Sequence, residues 1–387
     1  MSRVALLRCG SYDVDLIEKT LREGFELLGG EQYLKRILGK DKKILLKPNL
    51  LSVEAPGSPV VTHYAVFEAV IRIIRDYSRF IAYGDSPGFG DGRKAAEKCG
   101  LQQVAEKYGV EFADFREAIH VKYEEGLLCK SWEIAKPAYE AEVVITLPKI
   151  KTHAMAYYSG AIKNQFGCVP GTRKAAWHTR MPEASNFSKM LLDLNGVVGT
   201  SFAILDGIIA MEGNGPKNGT PKQMNTLIMG EDICAVDSTA VRLIGYEDPT
   251  FVPVLKEAHL AKIGDVLPQE IEVLGETIED MKCKDFVLSR RADNFNFINP
   301  KVNRLLRAMI APKPVVIADK CVSCGRCLQV CPEKPHIITL VDKKGKKLPQ
   351  WDLKKCIRCF CCQELCPVGA IDTVDTTAAK LLKINKR

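Results

Sequence analysis

Cys321-Val-Ser-Cys324-Gly-Arg-Cys327-Leu-Gln-Val-Cys331-Pro332 is answered, 35 residues on, by Cys356-Ile-Arg-Cys359-Phe-Cys361-Cys362-Gln-Glu-Leu-Cys366-Pro367. Both stretches have the pattern C-x2-C-x2-C-x3-C-P that holds [4Fe–4S] cubes in bacterial two-cluster ferredoxins. Thiols at three-residue intervals let one tight loop grip three irons of a cube. The fourth cysteine lies a turn further on, aimed at the other cluster, and proline turns the chain away. The expected ligand sets are therefore crossed. Cys321, Cys324, Cys327 and Cys366 form one, and Cys356, Cys359, Cys362 and Cys331 the other. A structural zinc site would instead pair one C-x2-4-C with a distant second pair. Cys361, between two ligands, reads as a packed spectator. The expected cofactors are two [4Fe–4S] clusters in a small α+β ferredoxin-like domain.

That module takes about 65 residues, so most of the 387-residue chain precedes it, with ample apolar material for a core of its own. Of 15 cysteines, the six outside the module (Cys9, Cys99, Cys129, Cys168, Cys234, Cys283) follow no spacing, which argues against a disulfide framework. The first residues, Met1 to Cys9, make too short an apolar run for a signal peptide, and no stretch approaches the length of a membrane span. Reduced thiols and oxygen-sensitive clusters point to a cytoplasmic protein, of an anaerobe. Residues 301–387 hold 18 Lys and Arg against 7 Asp and Glu, and residues 1–300 hold 37 against 40. This basic surplus can offset the negative charge of thiolate-ligated clusters, and nucleic acid is not expected as a partner. Lys343, Lys344, Lys346 and Lys347 flank Gly345 as at a hairpin tip.

Residues 1–275 alternate β-rich apolar runs with amphipathic helices, the pattern of an α/β domain whose largely parallel sheet carries helices on both faces. Strands are expected over 4–8, 43–47, 79–84, 110–114, 142–147, 201–205, 225–229 and 270–274. Helices are expected over 13–28, 63–77, 185–198 and 233–244. Residues 276–313 read as a partly helical linker that includes the apolar, basic run 302–310. Residues 314–375 are the ferredoxin domain, and 376–387 a tail.

Four of these strands run into unusual loops: Lys47-Pro48-Asn49; Asp85-Ser86-Pro87-Gly88; Pro148-Lys149-Ile150-Lys151-Thr152-His153; and Asp206-Gly207 with Glu212-Gly213-Asn214-Gly215-Pro216. In an open parallel sheet the carboxyl ends of strands line one crevice, where ligands bind. Lys149, Lys151, Lys163, Arg173 and Lys174 would form a wall for a carboxylate or phosphate, or else a solvated basic loop. His153, Lys163 and His178 are the candidate acid–base groups. Lys47, Asn49, Asp85, Ser86, Lys149, Lys151, Asn164, Asp206, Glu212 and Asn214 are candidates for binding substrate. Cys168 reads as a buried inert thiol. Gly84-x3-Gly88-x-Gly90 matches neither the dinucleotide fingerprint nor a P-loop, so no nucleotide cofactor is expected.

Lys47-Pro-Asn49, Gly84-Asp-Ser-Pro-Gly88, Leu147-Pro-Lys-Ile-Lys-Thr-His153, Ser159-Gly-Ala-Ile-Lys-Asn164, Leu205-Asp-Gly207 and Glu212-Gly-Asn-Gly-Pro216 together resemble the iron–sulfur family known as DUF362, over residues 40–245. Members of that family often carry a ferredoxin module, and the resemblance implies a redox protein without naming a reaction. The α/β organisation is also similar to that of the lactate racemase family. Three functions are compatible with these features. One is an oxidoreductase passing electrons through the clusters to or from an anionic small molecule. A second is an electron-transfer or cluster-handling subunit that docks a donor or acceptor protein. The third is a non-redox enzyme of lactate-racemase-like organisation.

Overall fold

The structure, a computed structural model, describes residues 1–88, 90–171, 173–289, 311–333, 335–343 and 345–377. The run 302–310 and most of the expected tail lie outside the described residues. Strands of the main sheet are β1 (Ser2–Arg8), β2 (Ile44–Pro48), β3 (Ile81–Tyr83) and β4 (Glu111–Phe112). A side hairpin, β5 (Ala118–Lys122) and β6 (Ser131–Ala135), comes next. The sheet resumes with β7 (Val143–Leu147), β8 (Lys149–His153), β9 (Tyr157–Ser159), β10 (Phe202–Glu212), β11 (Thr220–Gly230) and β12 (Ile271–Gly275).

The order across the sheet is β12-β1-β11-β10-β7-β2-β3-β4, with β8 beside β10 and β9 beside β8. Only β11 and β9 run against the others. Period-two alternation divides the core between the two faces. Ala5, Leu7, Ile44, Leu46, Phe202 and Ile204 pack under helices Val14–Leu28, Gly30–Leu38 and Tyr64–Ile74. Their neighbours Val4, Leu6, Leu45, Ala203 and Leu205 pack under helices Ala184–Val198, Ile233–Leu243 and Pro253–Ala261.

Helix ends obey local chemistry. Asp13 caps Val14–Leu28 by accepting from Leu16 N at 2.8 Å, and Gly29 ends it at φ 131°. Gly30, next in sequence, opens a further helix, Gly30–Leu38.

One difference from the sequence reading positions the site. Pro148 ends β7, yet the next five residues form β8, which continues along the long strand β10 (Lys149 opposite Asp206, Lys151 opposite Met211). The expected loop is thus a strand. Its alternation places Lys149, Lys151 and His153 on one face, while Ile150 joins the opposite core.

The chain from 283 to 289 packs on the α/β domain. Val287 N donates to Glu212 Oε2 (2.8 Å) and Ser289 Oγ to Tyr157 O (3.0 Å). In the module, β13 (Lys313–Val316) pairs antiparallel with β16 (Ile371–Val374), and β14 (Ile338–Lys343) with β15 (Lys346–Trp351). Short helices Arg326–Gln329 and Cys361–Glu364 lie within the two cysteine runs.

Candidate functional site

At the carboxyl ends of β2 and β3, Lys47 and Asp85 form a buried ion pair with Nζ 2.7 Å from Oδ1. Asp85 also accepts from Leu50 N (2.6 Å) and Ser86 N (2.9 Å), and Lys47 donates to Pro48 O (2.9 Å). Gly167 lies against this pair. A Cβ there would stand 1.8 Å from Asp85 Oδ1 and 2.7 Å from Lys47 Nζ, so only glycine fits.

Above the pair is a cavity with about 170 Å³ open to the centres of water-sized molecules. Lys151, Lys163, Lys174 and His178 reach it from β8 and from helices Ala161–Asn164 and Arg173–Arg180. Lys151 is 1% exposed, and its Nζ donates to Val60 O at 2.8 Å. The Asn49 amide, oriented to satisfy its neighbours, accepts from Lys151 Nζ at 3.0 Å. Lys174 donates to Pro87 O at 3.3 Å. Lys163 lies 5.9 Å from the centre of the Phe166 ring. Among the described residues no carboxylate lies within ion-pair distance of these three lysines. Burial pushes Lys151 down to about 7, with Lys163 adding repulsion, and burial likewise pushes Lys174 to about 7. His178 stacks on Phe187 (centroids 4.9 Å apart), and its buried Nδ1 has no partner among the described residues. Burial lowers it to about 4, so its ring is neutral.

The ferredoxin module forms the opposite wall. Gln329, Val330, Cys361, Glu364 and Leu365 all line the cavity. The 35-residue offset between the runs maps Gln329 onto Glu364 and Val330 onto Leu365, so equivalent positions of both runs meet the α/β domain. Glu364 Oε2 is 3.6 Å from His153 Nε2. His153 Nδ1 accepts from Met155 N and Ala156 N, both at 3.1 Å, which places the proton of the neutral ring on Nε2. Burial holds His153 at about 4. The Gln363 side chain donates to Asn214, and Asn218 Nδ2 donates to Gln363 O at 2.9 Å.

Other sequence candidates lie elsewhere. Lys149 pairs with Asp206 (3.0 Å) and donates to Tyr12 Oη (2.7 Å), a closed buried network outside the cavity lining. Glu212 holds Val287 N, and Asn214 belongs to the contact with the module. Arg173 faces outward, 2.7 Å from Glu133. The expected five-cation wall is therefore corrected to three lysines, because Lys149 and Arg173 already have carboxylate partners. Ser86 and Asn164 do line the cavity, but Asn164 Nδ2 is committed to Thr146 Oγ1 (2.8 Å) and Lys47 O (3.2 Å). Cys168 is fully buried, its thiol pushed up to about 12.

The cysteines line two further small cavities. One is ringed by Cys321, Cys324, Cys327 and Cys366, the other by Cys331, Cys356, Cys359 and Cys362, each with an apolar surround. Each offers the four-thiol donor set that a [4Fe–4S] cube takes. Beside the second, Trp351 Nε1 and the Arg358 guanidinium are buried, and among the described residues they are turned to the thiols of Cys362 and Cys356. N–H groups facing thiols at such a cavity fit a cluster whose sulfurs accept hydrogen bonds.

The family model described as a domain of unknown function, DUF362, matches residues 44–242, just over half of the chain. The chain belongs to the DUF362 family. A 4Fe-4S dicluster domain model matches residues 320–370 of this DUF362 protein. It is 34% identical to the thylakoid-associated protein sll1697 of Synechocystis over 253 residues, 65% of this chain and 77% of that one. An uncharacterized ferredoxin of Methanocaldococcus jannaschii is 40% identical over 62 residues, 16% of this chain and 78% of its own. Among solved structures, the lactate racemase apoprotein from Thermoanaerobacterium thermosaccharolyticum superposes with a TM-score of 0.39 at 15% identity, over 60% of this chain and 54% of that chain. No described helix is long and apolar enough to cross a membrane.

Sequence reasoning missed Glu364, Leu365, Gln329 and Phe166 in this DUF362 site. A signal existed for Glu364. It is the only Asp or Glu within either cysteine run, at a position where the first run has Gln329. Opposite a basic wall, an acidic residue inside a ligand loop marks the module's contact with that wall.

Proposed function

We propose that this DUF362 protein passes electrons between two [4Fe–4S] clusters, ligated in crossed sets, and an anionic small molecule held in the lysine cavity. One observation carries the reading: two buried lysines, Lys151 and Lys174, and the half-buried Lys163, none within ion-pair distance of a carboxylate among the described residues, share a cavity whose other wall is formed by the two cysteine runs. Bound clusters would supply or accept electrons one at a time. Lys151, Lys163 and Lys174 bind and orient the anion. Lys151, poised near neutrality, can also deliver a proton at Nζ to a reduced ligand. His178 offers a neutral ring at the cavity wall. His153 does not line the cavity and acts by positioning Glu364. The docked module keeps bulk water from the site, which strengthens each charge interaction.

At the module's outer end Cys324 is exposed and Val322 is 60% exposed, a suitable approach for a donor or acceptor protein. The test uses anaerobically purified protein containing about eight irons and eight sulfides per chain. After chemical reduction it is screened for reoxidation by organic anions. An anion that reoxidises wild type, but not the Lys151→Met/Lys163→Met variant, supports the reading. Electron exchange with a partner ferredoxin only, equal in both proteins, would leave the carrier reading in its place.

A further inference from the structure

If the cavity holds an anion, as the proposed function requires and this inference assumes, the charges around it set the charge of that anion. The cations around the cavity are Lys47, Lys151, Lys163 and Lys174, and the carboxylates are Asp85 and Glu364. His178 lines it, His153 stands behind Glu364, and the thiols of Cys361 and Cys168 are nearby. Lys47 and Asp85 cancel each other at 2.7 Å. Both histidines are neutral for structural reasons, one with Nδ1 filled by two backbone donors and the other stacked among aromatic rings. Among the described residues three lysines then face a single carboxylate across the lining, so that with all three protonated two positive charges lack a counter-charge there.

We infer that the cavity takes a dianion, a dicarboxylate or a phosphate monoester, in preference to a monoanion. A monoanion would leave one buried ammonium uncompensated, and that lysine would shed its proton rather than stay charged. Lys151 and Lys174, already poised near neutrality, can regain protons as a dianion enters. The thiol-lined cavities share no residue with this lining, and the second has a buried cation beside it in Arg358, so cluster charge acts on the lysines from behind the cysteine runs and not from within the cavity. Leu51, Phe166, Pro216, Val330 and Leu365 also line the site, so the ligand's charges sit on a carbon body rather than on a bare inorganic ion.

Two isosteric pairs test this by anaerobic calorimetry on the full cluster-loaded chain at about pH 8, above the second phosphate pKa of about 6. Succinate is compared with succinamate, and ethyl phosphate with ethyl sulfate. The dianion of at least one pair should bind ~10-fold tighter or more than its monoanionic partner. The pair that shows it identifies the dicarboxylate or the phosphate class. Two buffers of different ionisation enthalpy should reveal net proton uptake with the dianion. Lys163→Met and Lys174→Met, each checked for iron content and thermal unfolding, should erase the preference. Equal affinities within both pairs, or a preference surviving in both variants, overturn the inference while leaving the anion reading intact. No binding of any of the four probes overturns the anion reading itself.

Discussion

His153 Nε2 stands 3.6 Å from Glu364 Oε2, and this contact joins strand β8 to the short helix Cys361–Glu364 of the second cysteine run. Its geometry is one-sided. Nδ1 is saturated by two backbone donors, so the ring offers Glu364 a neutral N–H and not a full positive charge. The Glu364 carboxylate is thus left to the lysines of the cavity, where Lys163 holds it below the usual carboxylate range against the opposing pull of burial.

Glu364 therefore competes with the ligand for those lysines. Glu364→Gln removes the competing charge while keeping the side chain's shape. It should raise the affinity for succinate or ethyl phosphate ~10-fold, about 1.4 kcal/mol, with iron content unchanged. Unchanged or weaker binding by calorimetry would show that Glu364 helps to bind the ligand instead.

The buried lysines give stability a definite pH dependence. Lys151 and Lys174 fall from the ordinary 10.5 to about 7 on folding. Between those values the unfolded chain holds more protons than the folded one, so ligand-free stability from these groups rises as pH climbs from about 7 towards 10.5. Below about 7 both penalties apply in full. Lys151→Met should be more stable than wild type by ~1–2 kcal/mol at neutral pH, after allowing for the hydrogen bond lost to Val60 O. The gain should shrink in alkaline buffer. Denaturant midpoints across that range measure it, and a gain independent of pH would point to packing rather than charge.

Gly167→Ala tests the floor of the site. Its methyl group would overlap Asp85 Oδ1 and crowd Lys47 Nζ. Both are buried and mutually paired, so neither can retreat without exposing an unpaired charge. A loss of ~3 kcal/mol in chemical denaturation is expected. A loss below ~1 kcal/mol would mean that the loop carrying Gly167 shifts freely.

Trp351→Phe tests the second thiol-lined cavity. An N–H aimed at cluster sulfur favours the more negative, reduced state, so its removal should lower one midpoint potential and leave the other in place. Cys331→Ser should disturb that same cluster and spare the one ringed by Cys321, Cys324, Cys327 and Cys366. Titration followed by electron paramagnetic resonance reads both variants. A shift in the other cluster, or in both, would reverse the crossed assignment.

The cysteine runs were legible as a 4Fe-4S domain, because cluster ligation imposes a spacing that no packing requirement would produce. The α/β alternation and most strands were legible for a similar reason: apolar runs such as Ile44–Leu46 and Val143–Ile145 can only be buried in a sheet. The strand β8 was not. Its buried lysines and histidine mimic a polar loop, and only β10 alongside makes Lys149–His153 a strand. Nor does a sequence show which cations are already paired. Lys149 and Lys151 are two residues apart, yet one is matched to Asp206 and the other faces the cavity. The linker's length allows the module to fold back over the sheet's edge, but which of its residues meet the site was hidden, because that depends on docking between distant segments, through Gln363 and Asn214.

Exchange of electrons with an anion in the lysine cavity requires that anion to lie within reach of a cluster. Electron–nuclear double resonance on the reduced protein, with isotope-labelled succinate or ethyl phosphate bound, measures that proximity. A resolved coupling between the label and a reduced cluster is expected, absent in Lys151→Met/Lys163→Met. A ligand that calorimetry shows to be bound, but that gives only the matrix signal of distant nuclei, would contradict electron transfer to the cavity.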